Sequence, residues 1–168
     1  ITDHAEGFGT RTHCNNPDLS LTERAACWLA NYPNPAIFKI LAKKARGTVG
    51  LGDTSLPVGV YQQTTRKPLT PGAFPTCKVG EGALERCIKN ADNDWARFVK
   101  LANKYNEPGK LTTLIAYEFS PGMPNSGKHH RNVIFRSNTV PERAISSLDV
   151  PNAIELWKGL EATCLEDC

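Results

Sequence analysis

The longest regular pattern in the chain is helical. Leu84, Ile88, Ala91, Trp95, Phe98, Val99 and Ala102 recur at three- and four-residue steps, which predicts one amphipathic helix over residues 83–105. Asn106-Glu107-Pro108-Gly109 then breaks it. An earlier helix is signalled by Ser20-Leu21-Thr22-Glu23, a capping box in which Ser20 accepts an early backbone N–H and Glu23 reaches back. Ala26, Leu29 and Ala30 continue it as an apolar stripe beside Cys27 and Trp28. Asn34-Pro35 reads as N-cap and first position of a further helix, lined by Ile37, Ile40, Leu41 and Ala45 and stopped by Gly47. Pro151 opens the last helix, with Ile154, Leu156, Trp157 and Leu160 along it and an end near Cys164.

Between the helices the periodicity changes. "KLTTLIAYEFS" (110–120) is β-branched and apolar and reads as a buried strand; "HHRNVIFRS" (129–137) reads as another. The turn-rich "PGMPNSGK" between them is placed to form one wall of a pocket. The opening "ITDHAEGFG" reads as the C-terminal end of a buried strand. Residues 47–82, rich in Gly, Pro and Thr, are expected to be a long surface excursion with at most one short strand near 58–61. Helix-then-strand alternation predicts an α/β fold with at least partly parallel pairing, as one domain over the 168 residues.

Composition narrows the class only a little. The net charge of +3 is mild, and Lys and Arg are scattered apart from short runs such as Lys43-Lys44 with Arg46. That pattern argues against a nucleic-acid surface. No apolar run approaches the roughly 20 residues of a membrane span. The six cysteines are more informative. They fall into local pairs, Cys14 with Cys27, Cys77 with Cys87 and Cys164 with Cys168, and none has zinc-finger spacing. Disulfides are the favoured reading, and with them an oxidising compartment, periplasmic or extracellular. Sequence alone permits about 15 connectivities, and six reduced thiols in a cytosolic protein remain the alternative.

The candidate chemistry lies at the strand ends. His4 and Glu6 close the first strand, and Glu118 is a charge inside an otherwise apolar one, where a lone carboxylate is unfavourable unless paired or cation-bound. His129 and His130 begin the next strand. Each has an ordinary alternative: His4 as a surface histidine, Glu118 as an ion-pair partner of Arg131 or Arg136, His129 and His130 as loop residues. Their shared setting, at the rim where α/β folds bind ligands, favours a metal site. A serine nucleophile is not supported, since no GxSxG occurs.

"ITDHAE", "TTLIAYEFSP" and "HRNVIFR", followed by "VP", "ELW" and a late cysteine pair, resemble an uncharacterised branch of the PHP-like (polymerase and histidinol phosphatase superfamily) metal-dependent phosphoesterases. The resemblance runs collinearly along residues 1–168, strongest over 111–136 and weakest over the Gly/Pro-rich excursion. Members of this branch are typically longer and often exported. The resemblance implies part of a distorted (β/α) barrel that hydrolyses phosphoesters with divalent ions (Zn, Mn or Fe). It implies His4, Glu118 and His130 as ligands, Glu118 bridging ions, and Arg131 neutralising charge on the substrate. Arg131 as a structural partner of Glu6 is an equal alternative. Asp3 is expected to orient the His4 ring, because adjacent strand residues face opposite ways and both cannot easily ligate. Glu6, His129 and Asn132 are supporting candidates, with His129 ranked below His130. The superfamily's His-x-His pair would precede Ile1, and its later histidines and Asp-x-His pair would follow Cys168. The chain is therefore expected to be an internal piece completed by other segments of its parent protein. A disulfide-stapled binding or structural protein, without turnover, is the rival reading.

Overall fold

The computed structural model describes residues 4–31, 75–121, 130–164 and 168. The helix expected from Asn34-Pro35, most of the Gly/Pro-rich excursion, the 121–128 loop beyond its first residue, Asp3 and His129 lie outside them. A 3-10 turn, Ala5–Gly7, leads into the short helix α1 (Thr10–Cys14), and α2 spans Leu21–Asn31. A second 3-10 turn, Pro75–Lys78, precedes the long helix α3 (Ala83–Tyr105). Strands β1 (Ala116–Phe119) and β2 (Arg131–Ile134) follow, and α4 (Ala153–Thr163) closes the order. The described part is thus mixed α/β.

The helical expectations hold for local reasons. At the start of α2, Glu23 N donates to Ser20 Oγ at 3.3 Å and Ser20 N donates to Glu23 Oε2 at 2.9 Å, the two halves of the capping box. α3 has its predicted bounds, and Trp95 on its inner face is 1 % exposed. Trp95 donates its Nε1–H to the Pro141 carbonyl at 2.8 Å and meets Tyr117 edge-to-face with centroids 5.5 Å apart. Around it Tyr117, Phe119, Phe135, Ile145, Val150 and Leu156 complete the main core. α4 begins two residues after Pro151, where the Asn152 side chain accepts from Glu155 N at 3.0 Å.

The strands differ from expectation. β1 and β2 pair antiparallel, Glu118 opposite Asn132 and Phe119 opposite Arg131. Among the described residues, parallel pairing is confined to a single bridge between His4 and Glu118. The expected buried strand over 110–120 shrinks to its last third. Leu111 and Leu114 are more than half exposed, because β2 offers only four residues of partner edge. The face of α2 also shifts: Cys27 and Glu23 are buried, whereas Leu29 and Trp28 are exposed.

Three disulfides, Cys14–Cys27, Cys77–Cys87 and Cys164–Cys168, use all six cysteines in the expected local pairs. The first two staple α1, α2, the Pro75–Lys78 turn and α3 into a lobe against the N-terminal half of α3. Gly9 makes that close approach feasible. Its φ of 76° is left-handed, and a Cβ there would stand 2.2 Å from the Cys87 carbonyl oxygen. The Gly9 N–H instead donates to Asp94 Oδ2 at 3.0 Å, which docks the N-terminal turn onto α3.

Candidate metal centre

Docking of the N-terminal turn sets His4 beside the end of β1 through the parallel bridge to Glu118. The residue just before β2, His130, arrives from the other side. The side chains of His4, Glu118 and His130 thereby converge from three segments, with one donor atom of each within 4.8 Å of the others. His4 Nδ1 lies 3.5 Å from Glu118 Oε1, and His130 Nδ1 makes a short contact to the same oxygen. The two imidazoles meet edge-on with centroids 5.4 Å apart. Both histidine side chains are about half exposed, at 51 % and 48 %, while Glu118 is 19 % exposed, so the cluster opens to solvent over a recessed carboxylate.

Ser120 sits among them. Its hydroxyl donates to Glu118 Oε1 at 3.0 Å and lies 2.8 Å from His4 Nδ1 and 2.9 Å from His130 Nδ1. Burial works to raise the Glu118 pKa, but hydrogen bonds from Ser120 and His130 and the charges of His4 and His130 outweigh it, and the net shift is downward. Glu118 is therefore held as a carboxylate.

Glu6 forms the floor. Its Oε1 accepts the backbone N–H groups of Ser120 and Ser147, each at 3.0 Å, and Ser147 Oγ donates to the Ser120 carbonyl at 3.1 Å. These bonds tie the N-terminal turn, the end of β1 and the 146–149 turn together. Glu6 Oε2 is buried without a hydrogen-bond partner among the described residues, 3.8 Å from His4 Nδ1.

The set fits a divalent ion. Two imidazoles and a carboxylate are natural donors for Zn, Mn or Fe, and a buried carboxylate oxygen without a donor beside them is one a cation would satisfy. Of the other expected site residues, the register places Asn132 across from Glu118 and Arg131 across from Phe119. Cross-strand partners share a face, so Asn132 rather than Arg131 starts from the face of Glu118. Asp3 and His129 lie outside the described residues.

Sequence reasoning overlooked Ser120, although a signal was present: in an extended segment Ser120 is two residues from Glu118 and shares its face. Ser147 carried none, since only tertiary placement brings it to Glu6.

A family model described as "Protein of unknown function (DUF3604)" matches residues 1–168. The chain belongs to the DUF3604 family. No curated protein and no solved structure matches it. In this DUF3604 chain the cluster joins three segments of the matched stretch, at His4, Glu118 and His130. Among the described residues, no helix is long and apolar enough to cross a membrane.

Proposed function

We propose that this DUF3604 chain is a metal-dependent hydrolase of phosphoesters, built on a barrel of PHP type. The observation that carries the reading is the convergence of His4, Glu118 and His130 on one solvent-facing point. His4 and His130 each offer a ring nitrogen, and Glu118 offers a carboxylate oxygen that can be shared between ions. A divalent ion held there supplies Lewis-acid activation of water and of the substrate oxyanion. Arg131 is the cation assigned to substrate charge. The register starts it on the sheet face opposite Glu118, so at the first position of β2 its long side chain would have to pass round the strand end, where a guanidinium suits the paired oxygens of a phosphoryl group. Asn132, on the Glu118 face, is assigned a hydrogen bond to the substrate. Three disulfides support an oxidising location, periplasmic or secreted.

One observation favours a second reading. Ser120 already satisfies His4, Glu118 and His130 by hydrogen bonds, as it would in a disulfide-stapled binding or structural protein without turnover. Assays of the full-length protein on a phosphomonoester and a phosphodiester, with Mn or Zn added, separate the two. Hydrolysis that chelation removes and that Glu118→Gln abolishes supports the hydrolase. Absence of hydrolysis on both substrates, or activity untouched by Glu118→Gln, overturns it.

A further inference from the structure

The two oxygens of Glu6 are treated very differently by their surroundings. Oε1 accepts two backbone N–H groups from separate loops, Ser120 and Ser147, both at 3.0 Å. Oε2 has no such partner among the described residues, though the side chain is only 10 % exposed. Two anchoring bonds to one oxygen fix the plane and direction of the carboxylate, so the position of Oε2 is set by the fold. It faces His4, 3.8 Å from Nδ1. A desolvated anionic oxygen left without a donor is unfavourable unless a cation or a donor reaches it.

Resting on the metal reading above, the geometry points to Glu6 as a further ligand of the divalent ion, donating through Oε2 while Oε1 serves as its anchor. Two donors that share an ion at about 2.0–2.2 Å stand roughly 3.4–3.6 Å apart in a tetrahedron and farther apart as the angle opens. His4 Nδ1 to Glu118 Oε1, at 3.5 Å, lies in that range. His4 Nδ1 to Glu6 Oε2, at 3.8 Å, is wider and asks for a more open angle, and Glu6 stands outside the group of mutually close donor atoms formed by His4, Glu118 and His130. The shell then holds two neutral imidazoles and two carboxylates, whose charges balance a doubly charged ion. A second carboxylate also moves the donor set toward harder ions, Mn and Fe over Zn. Ser120, whose backbone N–H anchors Glu6 and whose hydroxyl meets the other three donors, couples the buried carboxylate to the exposed ones.

The test is a Co²⁺ titration of the full-length protein, read by calorimetry and by visible absorption, with no turnover involved. Glu6→Gln keeps an oxygen to accept the Ser120 and Ser147 N–H groups and removes the anionic donor. We expect Co²⁺ affinity to fall by more than ~10-fold, with a changed ligand-field spectrum and an unchanged metal-free melting temperature. Affinity and spectrum like those of the unaltered protein overturn the inference. So does weaker binding with an unchanged spectrum, which would make Glu6 a positioning residue only. Should Glu6→Gln fail to fold, Glu6→Asp keeps the charge but withdraws the oxygen by one methylene; an altered spectrum supports the assignment and an unaltered one sinks it. His130→Ala, in parallel, tests the reading underneath. If it binds Co²⁺ like the unaltered protein, or the unaltered protein binds none, the metal site itself fails and Glu6 falls with it. If His130→Ala weakens binding and Glu6→Gln does not, only the Glu6 assignment is lost.

Discussion

Two glutamates, Glu23 and Glu6, are buried to a similar degree, at 4 % and 9 % exposure, in two different regions of the molecule. Glu23 belongs to the disulfide-stapled lobe, and both its oxygens are taken. Oε2 accepts the Ser20 hydroxyl at 2.6 Å and its backbone N–H at 2.9 Å, while Oε1 meets the Arg86 guanidinium. The Ser20 hydroxyl first, then its backbone N–H and Arg86, hold the Glu23 pKa down at about 2 against the opposing effect of burial. Glu6, at the sheet edge, has one oxygen doubly bonded and the other facing the half-exposed imidazole of His4. The difference separates a structural carboxylate from one available to a ligand. Saturation of both oxygens closes a charge into the fold, whereas an unsaturated oxygen at a solvent-facing rim leaves binding capacity.

If the two regions share one framework, the largest effect should come from removing the residue that joins them. α3 carries Arg86 and Cys87 for the lobe at one end and Trp95 under the sheet in its middle. Trp95→Ala should cost about 3–5 kcal/mol and melt lobe and sheet in a single transition. Two separate transitions, seen as non-coincident fluorescence and far-ultraviolet dichroism curves, would show that the regions fold independently.

Next in size is the Cys77–Cys87 link. Replacing both cysteines with Ala releases a loop with a sequence separation of 10, for which chain entropy gives about 3 kcal/mol. Chemical denaturation should register that loss. The imidazole resonances of His4 and His130 should stay where they are. Movement of those resonances would mean that the staples hold the site as well as the lobe.

The sequence made the helices and the disulfides more legible than the sheet. Residues 83–105 keep a 3.6-residue period with a Pro-Gly break beyond, and the capping box needs only neighbours three residues apart. The cysteines pair over 13, 10 and 4 residues. Strand extent is not local in this way. Leu111 and Leu114 look like strand interior, yet they lie beyond the four residues that β2 can pair. His4, Glu118 and His130 were visible as ligand-type residues at strand ends. Ser120 was legible through its place two residues from Glu118 on the same face, whereas Ser147 was not, because its partner Glu6 lies 141 residues away and only the finished fold joins them. His13 was missed for the same reason: nothing in "THC" indicates a histidine that is 1 % exposed.

A smaller effect sharpens the glutamate contrast. The folded Glu23 pKa of about 2 lies below the ordinary value of 4.5, so the bound state of this carboxylate stabilises the protein above pH 4.5. That contribution is lost as pH falls from there through about 2. Glu23→Gln should melt at lower temperature than the parent at pH 7, and the gap between them should close across that acid window. Parallel melting curves of parent and variant from pH 5 to pH 2 would remove Glu23 as the source.

The smallest expected effect concerns the histidine of the stapled lobe, which contrasts with His4 and His130 as Glu23 does with Glu6. His13 is buried, and neither ring nitrogen has a hydrogen-bond partner among the described residues. Burial lowers its pKa below 6.5, with Glu23 pulling upward and Arg86 pushing further down. The unfolded chain therefore takes up the proton first, and stability declines as pH falls through 6.5 toward the folded value. His13→Leu abolishes that decline while removing two unsatisfied polar atoms, a change that is neutral or favourable when no bond is lost. The variant should match or slightly exceed the parent at pH 7 and melt a few degrees higher at pH 5. Combining it with Glu23→Gln gives the sharper readout. Without Glu23 to pull the His13 pKa upward, the parent histidine should be still harder to protonate, so the gain from Leu at pH 5 should be larger in the Gln background. A variant less stable than the parent at both pH values would show that His13 makes a stabilising contact and that the lobe, too, contains a histidine at work.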